Sequence, residues 1–600
     1  MAKEPTRLFD LPQHQRDHFP QEDALAYKSD GEWITWSTDE FIDQAARMSK
    51  GLIALGIRPG DRVAMVSNNR PEWNIVDIGA QQAGAVDVPI YPTINEEDMG
   101  YIFQHAEIKL CFVSDEELYQ KVLNIQDQVP ALQGIYSFDP LKGVSHWTQV
   151  LEAGNEVDME EVERIKEGIS ETELATMIYT SGTTGKPKGV MLSHRNLVSN
   201  VKACVERLPV DHTGNSLSFL PASHVYERMI HYLYIYTGVS IYFAESMDTI
   251  GENLREVKPQ VFTAVPRLLE KVYDRIMAKG NEQKGIKRAL FFWAVRLGEE
   301  YEPRGGHSGW YRFKLAIARN LVFKKWYEAI GGNAKAIASG SAPLQPRLIR
   351  IFLAAGVPVM EGYGLTETSP VIAVNCEKNN GVMVGTVGRP LSDQEVRIAE
   401  DGEIVVKGPN VMLGYYKNEE ATREVLDNEG WFYTGDIGEL VNGEFLKITD
   451  RKKQMFKTSG GKYIAPGKME NKFKESPFIE QIMVLGEGRK FPSALIVPSF
   501  EYLENWCKKN GIEHPNVEGM LEDDRVLDRI RKEVDDKNKA FGHWEWIKRF
   551  VLLSEDWSID GGELTPTLKV KRKDVQEKYA DRIEGIYRGD EGVNTEAGLE

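Results

Sequence analysis

The sequence is poor in cysteine. Cys111, Cys204, Cys376 and Cys507 are the only four in 600 residues. They are widely spaced with no CxxC pair, which excludes a disulfide framework or a cysteine zinc site and suits a reducing cytoplasm. Positive charge is also short. Lys and Arg number 73 against 91 Asp and Glu, for a net charge of −18, which argues against a nucleic-acid binder with a basic face. The N-terminal run Met1-Ala2-Lys3-Glu4-Pro5-Thr6-Arg7 lacks the apolar centre of a secretory signal. No apolar run is long enough for a membrane span: the richest, 229–243, contains His231 and is too short. No repeat or low-complexity tract appears. What remains is an ordinary globular composition, 42% hydrophobic and 27% charged, at a length that requires two or more domains.

Strand-like and helix-like runs alternate over 61–115. Val63–Ser67, Val86–Tyr91 and Lys109–Val113 read as strands, and 71–84 and 96–106 as helices, the first with proline early where it is tolerated. This βαβ rhythm predicts a parallel sheet, and it recurs over 174–265 and 334–374. Residues 280–330, basic and aromatic at helical spacing, predict a surface helical hairpin without a catalytic task. Beyond about 380 short strands at 395–398, 403–407 and 445–448 predict a small β-rich subdomain. The last ~150 residues mix strands with charged helices in a separate lobe.

Residues 179–189 read Tyr-Thr-Ser-Gly-Thr-Thr-Gly-Lys-Pro-Lys-Gly. A strand over 174–179 feeds this loop, and a helix starts near His194. Glycines allow close backbone approach. Backbone N–H groups, hydroxyls and lysines together cradle a polyphosphate. It is not a Walker A loop: that motif needs glycine where Thr180 stands and Ser or Thr where Pro187 stands. A second element, Glu361-Gly362-Tyr363-Gly364-Leu365-Thr366-Glu367-Thr368, reads as a tight Gly-Tyr-Gly turn presenting an aromatic ring, hydroxyls and a carboxylate suited to a hard cation. Ser339-Gly340-Ser341-Ala342-Pro343 lies upstream. A third, Gly430-Trp431-Phe432-Tyr433-Thr434-Gly435-Asp436, places a carboxylate that accepts two hydrogen bonds at once. Asp450-Arg451-Lys452-Lys453, then 562–572 (GELTPTLKVKR) and Leu220-Pro221-Ala222-Ser223-His224, complete the set.

Together these motifs resemble those of the adenylate-forming superfamily over nearly the whole chain. Residues 429–466 closely resemble the long-chain fatty acyl-CoA synthetases. The resemblance implies a large α/β N-terminal lobe of parallel, αβ-layered sheets with a small β-subdomain (1–452), followed by a small mobile α+β lobe (453–600). It implies that Thr180, Ser181, Gly182, Thr183, Thr184, Gly185, Lys186 and Lys188 bind the ATP phosphates, with Thr366 near the α-phosphate. Gly340, Ser341, Ala342, Glu361, Gly362, Tyr363 and Gly364 line the adenine site, with Tyr363 stacking on the base. Asp436 and Arg451 hold the ribose. Glu367, with Thr183, binds Mg²⁺. Lys569 is the catalytic lysine and His224 positions or gates near the substrate carboxylate. Lys453 is the hinge, and Lys457 serves the thioester step.

The implied activity is AMP-forming ligation of a fatty acid to CoA, with ATP and CoA as co-substrates. Three rivals stay open: a ligase for another carboxylic acid, an acyl-AMP ligase serving a carrier protein, and an inactive binder of acyl adenylates. No carrier domain is expected after residue 600. A cytoplasmic protein with peripheral contact on the inner face of a membrane is compatible with the sequence, as are a monomer and a homodimer.

Overall fold

The computed structural model describes residues 4–180, 186–559, 561–565, 569–588 and 593–594. The chain forms two compact units: 1–397 with 405–434 and 440–447, and 398–404 with 435–439 and 448–600.

The first unit is α/β. One eight-stranded sheet runs in the order Gly414–Tyr415, Lys188–Ser193, Leu174–Thr180, Val86–Ile90, Arg62–Val66, Ile108–Val113, Gly134–Ser137, Ser145–His146. The predicted βαβ stretch forms its parallel centre, with the helices Pro71–Gln82 and Glu96–Ala106 as crossovers. A nine-stranded sheet runs Arg389–Pro390, Val371–Val374, Val359–Gly364, Ala336–Ser339, Val261–Ala264, Asn215–Ser218, Ser240–Phe243, Leu25–Ser29, Glu32–Trp36. Five consecutive pairings within it are parallel, and antiparallel strands close both edges.

The helix Val225–Thr237 is buried along most of its length, which accounts for the apolar-aromatic run in the sequence. Its charged residues are buried too, and they reach both sheets. Arg228 donates to Thr176 Oγ1 at 2.7 Å on the eight-stranded sheet. Glu227 accepts from Ser218 Oγ at 2.7 Å and from Thr263 Oγ1 on the nine-stranded one.

Two sequence expectations change here. The segment 280–330 is not a two-helix hairpin. It comprises Gly285–Glu299, Gly309–Ala318, a π-helical turn Arg319–Phe323 and Lys324–Ala329. Its inner residues, among them Val295, Leu297, Tyr311 and Leu315, join the core, so burial of one face at helical spacing fixes it to the unit. Gly362-Tyr363-Gly364 is not a turn. It ends the strand Val359–Gly364 with a register shift between Tyr363 and Gly364. A Cβ on Gly364 would lie 1.8 Å from the Pro370 carbonyl oxygen. Glycine serves close strand approach there rather than chain reversal.

The strands Glu395–Ile398, Glu403–Lys407, Phe432–Val441 and Phe445–Arg451 form the expected small sheet. In the second unit, Ile479–Leu485, Ser493–Pro498, Arg549–Leu552 and Val593–Asn594 form a mixed sheet. Its strands alternate with period two. Ile482, Val484, Ala494 and Ile496 face one apolar cluster, and Met483, Leu485, Leu495 and Val497 face another. Both faces are therefore covered, which makes this an α+β unit.

Candidate active site

The phosphate-loop candidate joins two antiparallel strands. Thr180 pairs with Lys188 and Tyr179 with Gly189, so the run after the loop is a strand, Lys188–Ser193, before the expected helix His194–Val205 begins. Ser181, Gly182, Thr183, Thr184 and Gly185 lie outside the described residues. Ser193 and Asn196 form a reciprocal cap at the helix start. The same Asn196 amide donates to the carbonyls of Pro409 and Val411 at 2.7 and 2.8 Å. One helical turn on, Asn200 exchanges two hydrogen bonds with the backbone of Val371. These two amides hold the 371 and 409–411 segments against the hairpin.

That anchoring leads to Tyr415, which sequence reasoning passed over. Its strand, Gly414–Tyr415, pairs with Lys188–Ser193. The Tyr415 hydroxyl donates to Glu367 Oε1 at 2.8 Å, and the Lys188 ammonium sits 5.0 Å over its ring. Burial first, then the Glu367 charge, raises the phenol well above its usual range, so it stays a donor. One ring thus touches both a phosphate-loop lysine and the magnesium glutamate of the sequence analysis. Nothing in the spacing of Gly414-Tyr415 signals this, because a two-residue strand leaves no pattern. Lys186 lies 5.1 Å over the Tyr101 ring. Tyr101 stacks on His105 at 5.3 Å, and His105 Nδ1 is 2.7 Å from the buried Tyr179 hydroxyl. Burial, with Lys417 nearby, lowers the His105 pKa.

The adenine-site candidates meet at neighbouring strand ends. Ala336–Ser339 and Val359–Gly364 are parallel, with Ser339 opposite Glu361. Gly340, Ser341 and Ala342 therefore emerge beside Gly362 and Tyr363, at the carboxyl ends where open α/β sheets bind ligands. Ser341 is left-handed at φ 69°. The Glu361 carboxyl is buried and accepts from the Leu344 N–H at 2.9 Å. Burial pushes its pKa up to about 7, against that hydrogen bond. Thr366 and Glu367 follow in a short 3₁₀ turn. A magnesium ion takes one or two carboxylates and keeps several waters. The Glu367 carboxylate fits that demand, because Tyr415 occupies one oxygen and leaves the other without a hydrogen bond among the described residues.

His224 is the N-cap of Val225–Thr237. Its Nδ1 accepts from the Tyr226 N–H at 3.1 Å, which fixes the neutral tautomer with the proton on Nε2. Its ring meets Tyr91 edge-on at 6.3 Å. Behind it lies a buried polar cluster that was not foreseen. Arg228 pairs with Asp77, and with Asp87 at 2.7 Å. It also donates to Tyr232 at 2.9 Å and lies 5.3 Å over Trp73.

In the second unit, Asp436 is 3% exposed and Arg451 Nε is 3.2 Å from its Oδ1. The preceding Gly435, at φ 73°, turns its N–H to Glu403 Oε1 at 2.7 Å. Lys452 clamps Asp401 and Glu403 at 2.6 and 2.7 Å. Lys453 is exposed, and Lys457 lies 4.6 Å over the Tyr463 ring. The Lys569 loop is closed by its own backbone. Lys569 N–H donates to Thr565 Oγ1 at 3.0 Å, and Thr565 N–H to the Lys569 carbonyl at 2.8 Å. Residues 566–568 between them lie outside the described set.

Comparison with known proteins bears on this set. Residues 12–416 match the AMP-binding enzyme family, and 453–591 match the AMP-binding enzyme C-terminal domain. A chain from Mycobacterium bovis named long-chain-fatty-acid–CoA ligase FadD15 is 37% identical over 96% of both chains. Long chain acyl-CoA synthetase 7, peroxisomal, of Arabidopsis thaliana is 31% identical over 92% of this chain and 81% of its own. Among solved structures, the adenylation domain of a carboxylate reductase from Mycobacterium chelonae superposes with a TM-score of 0.76 at 22% identity, covering 98% and 92% of the two chains. ATP-bound MatB from Rhodopseudomonas palustris gives 0.70 at 22% identity, covering 96% and 100%. The strand-end site, the capped hairpin and these full-length likenesses converge: the chain belongs to the adenylate-forming AMP-binding enzymes.

Proposed function

We infer that the protein ligates long-chain fatty acids to CoA in two steps. The observation that carries this reading is the likeness, over more than nine-tenths of this chain, to one relative named long-chain-fatty-acid–CoA ligase and another named long chain acyl-CoA synthetase. A carboxylate is a poor acyl donor because its oxygen leaves badly. In the first step its oxygen attacks the α-phosphorus of ATP, the O–P bond of a mixed acyl–phosphate anhydride forms, and pyrophosphate leaves as its bond to the α-phosphorus breaks. In the second the CoA thiol, losing its proton, attacks the acyl carbon and AMP leaves with the electron pair.

The first step needs no general base, since the nucleophile is already ionised. It needs two anions held in line with their charge offset. Lys186, Lys188 and Lys569 supply positive charge at the phosphates, with Thr180, residues 181–185 and Thr366 as hydrogen-bond partners. Tyr363 and 340–342 hold adenine beside Glu361, Gly362 and Gly364, while Asp436 and Arg451 hold the ribose. Glu367, with Thr183, would hold a magnesium ion, which supplies further charge neutralisation when bound. The neutral His224 offers its Nε2–H near the substrate carboxylate. The second step requires a route for CoA. Rotation of the small lobe 453–600 about Lys453 would open it, with Lys457 serving the thiol attack. Peripheral contact with a bilayer fits a substrate that partitions into lipid.

The test is ligation over a panel of carboxylic acids with ATP, Mg²⁺ and CoA, following AMP and pyrophosphate separately. Acyl-CoA and AMP from long-chain acids, with acetate and aryl acids inert, is the expected result. Pyrophosphate without acyl-CoA would reassign the protein to acyl-AMP ligases. Turnover of aryl acids alone would overturn the chain-length reading.

A further inference from the structure

The chemistry leaves the helical segment 285–329 unused. Its inner side chains Tyr311, Leu315 and Ala318 are core. Its outer face is also apolar. Trp310, Phe313 and Ile317 fall at i, i+3 and i+7, on one side of the helix. Trp310 is 66% and Phe313 56% exposed, and their rings stack at 5.6 Å and 21°. Leu321, in the π-helical turn, is 57% exposed. Single exposed apolar residues are ordinary, but a clustered set that includes a stacked Trp–Phe pair marks a contact surface.

The charge around this face identifies the partner. Between 284 and 329 there are ten Lys or Arg against four Glu, a net +6 in a chain of net −18. Lys324 reaches Glu328 at only 3.8 Å, and Arg312, Lys314 and Lys325 make no ion pair among the described residues. This positive charge is therefore not consumed internally. A protein of net −18 is repelled from an anionic surface except where a local basic face comes within a Debye length.

We propose that the outer face of 309–329 docks on an anionic lipid bilayer. The Trp310–Phe313 pair enters the boundary between headgroups and acyl chains, and Arg312, Lys314, Lys324 and Lys325 meet the anionic headgroups. The fatty-acid reading supplies the purpose, loading a lipid-dissolved substrate, but docking itself needs neither nucleotide nor acid.

The test sediments the full-length chain with vesicles of phosphatidylcholine alone or mixed with phosphatidylglycerol, with no substrate present. Binding to the mixed vesicles only, weakened by salt, is expected. Trp310→Ser/Phe313→Ser and Lys324→Glu/Lys325→Glu should each lower the partition coefficient by about tenfold or more. Ligation of a water-soluble medium-chain acid should stay at the wild-type rate in both variants, showing that the fold is intact. Wild-type protein that ignores anionic vesicles, or variants that bind as wild type does, would overturn the proposal. So would a concentration-dependent dimer abolished by Trp310→Ser/Phe313→Ser, which would give the patch to a second copy. A protein silent on every acid but still bound to vesicles would sink the ligase reading and leave the docking face standing.

Discussion

Replacing Arg228 with methionine removes the guanidinium and keeps much of the stem. Arg228 is fully buried and holds Asp77, Asp87, Thr176 and Tyr232 together. Breaking a buried ion pair from one side costs about 3–5 kcal/mol, mostly because the partner charge is left stranded. In a unit of this size that lowers Tm by roughly 5–10 °C. The loss should depend on pH, and its sign is fixed. Burial already raises the Asp87 carboxyl above its ordinary range, with Arg228 opposing and Asp77 adding to the rise. A carboxyl raised on folding binds more protons folded than unfolded, so its contribution falls as pH rises from its unfolded pKa to its folded one. Without Arg228 the Asp87 pKa climbs further. Below the wild-type folded pKa of about 7 the buried carboxyl is protonated in both proteins, so the deficit of Arg228→Met should stay flat there. Above it the deficit should widen by up to about 1.4 kcal/mol per pH unit until the variant's own, higher pKa is reached. Adding Asp87→Asn should recover part of the loss and flatten the pH dependence. Thermal melts of the three proteins across that range decide it. A loss equal at acid and alkaline pH, or none at all, would refute the reasoning that a stranded carboxylate carries the cost.

Further outcomes concern the site. Tyr415→Phe keeps the ring under Lys188 but removes the hydrogen bond to Glu367. Since hydrogen bonds to charged groups contribute about 1.5–3 kcal/mol, ATP binding by calorimetry should weaken about tenfold or more when Mg²⁺ is present, with little change for ATP in chelator. Lys569→Ala should abolish pyrophosphate release while ATP binding and thioester formation from supplied acyl-AMP survive; equal loss of both half-reactions would remove its assignment. Lys453→Pro should slow thioester formation far more than adenylation, measured as acyl-CoA against pyrophosphate, and equal losses would argue against a hinge there.

The local pattern carried far more of the fold than of the site. Strands 395–398 and 403–407 and helix 96–106 appear at the residues read from alternation and spacing, because each depends on one buried face. The motifs named the site residues by type, yet their partners come from long-range pairing. Tyr415 meets Glu367 from 48 positions away through a strand too short to leave a period. The Gly-Tyr-Gly run looked like a turn because glycine signals both chain reversal and close approach, and only the Pro370 carbonyl distinguishes them. The Arg228 cluster left no local pattern, because its partners Asp77 and Thr176 lie 151 and 52 positions away.

The two asparagines of the helix His194–Val205 have a consequence in time. Their carbonyl partners lie 171 and 215 positions downstream. A ribosome adding about 5–20 residues per second needs roughly 10–45 s to deliver the later one. Throughout that interval the nascent hairpin stands without Tyr415 and the helix amides face water or a chaperone. Each newly made molecule therefore passes through a stage in which the phosphate loop exists before the site does, and a message truncated before codon 411 would encode a chain that never leaves it.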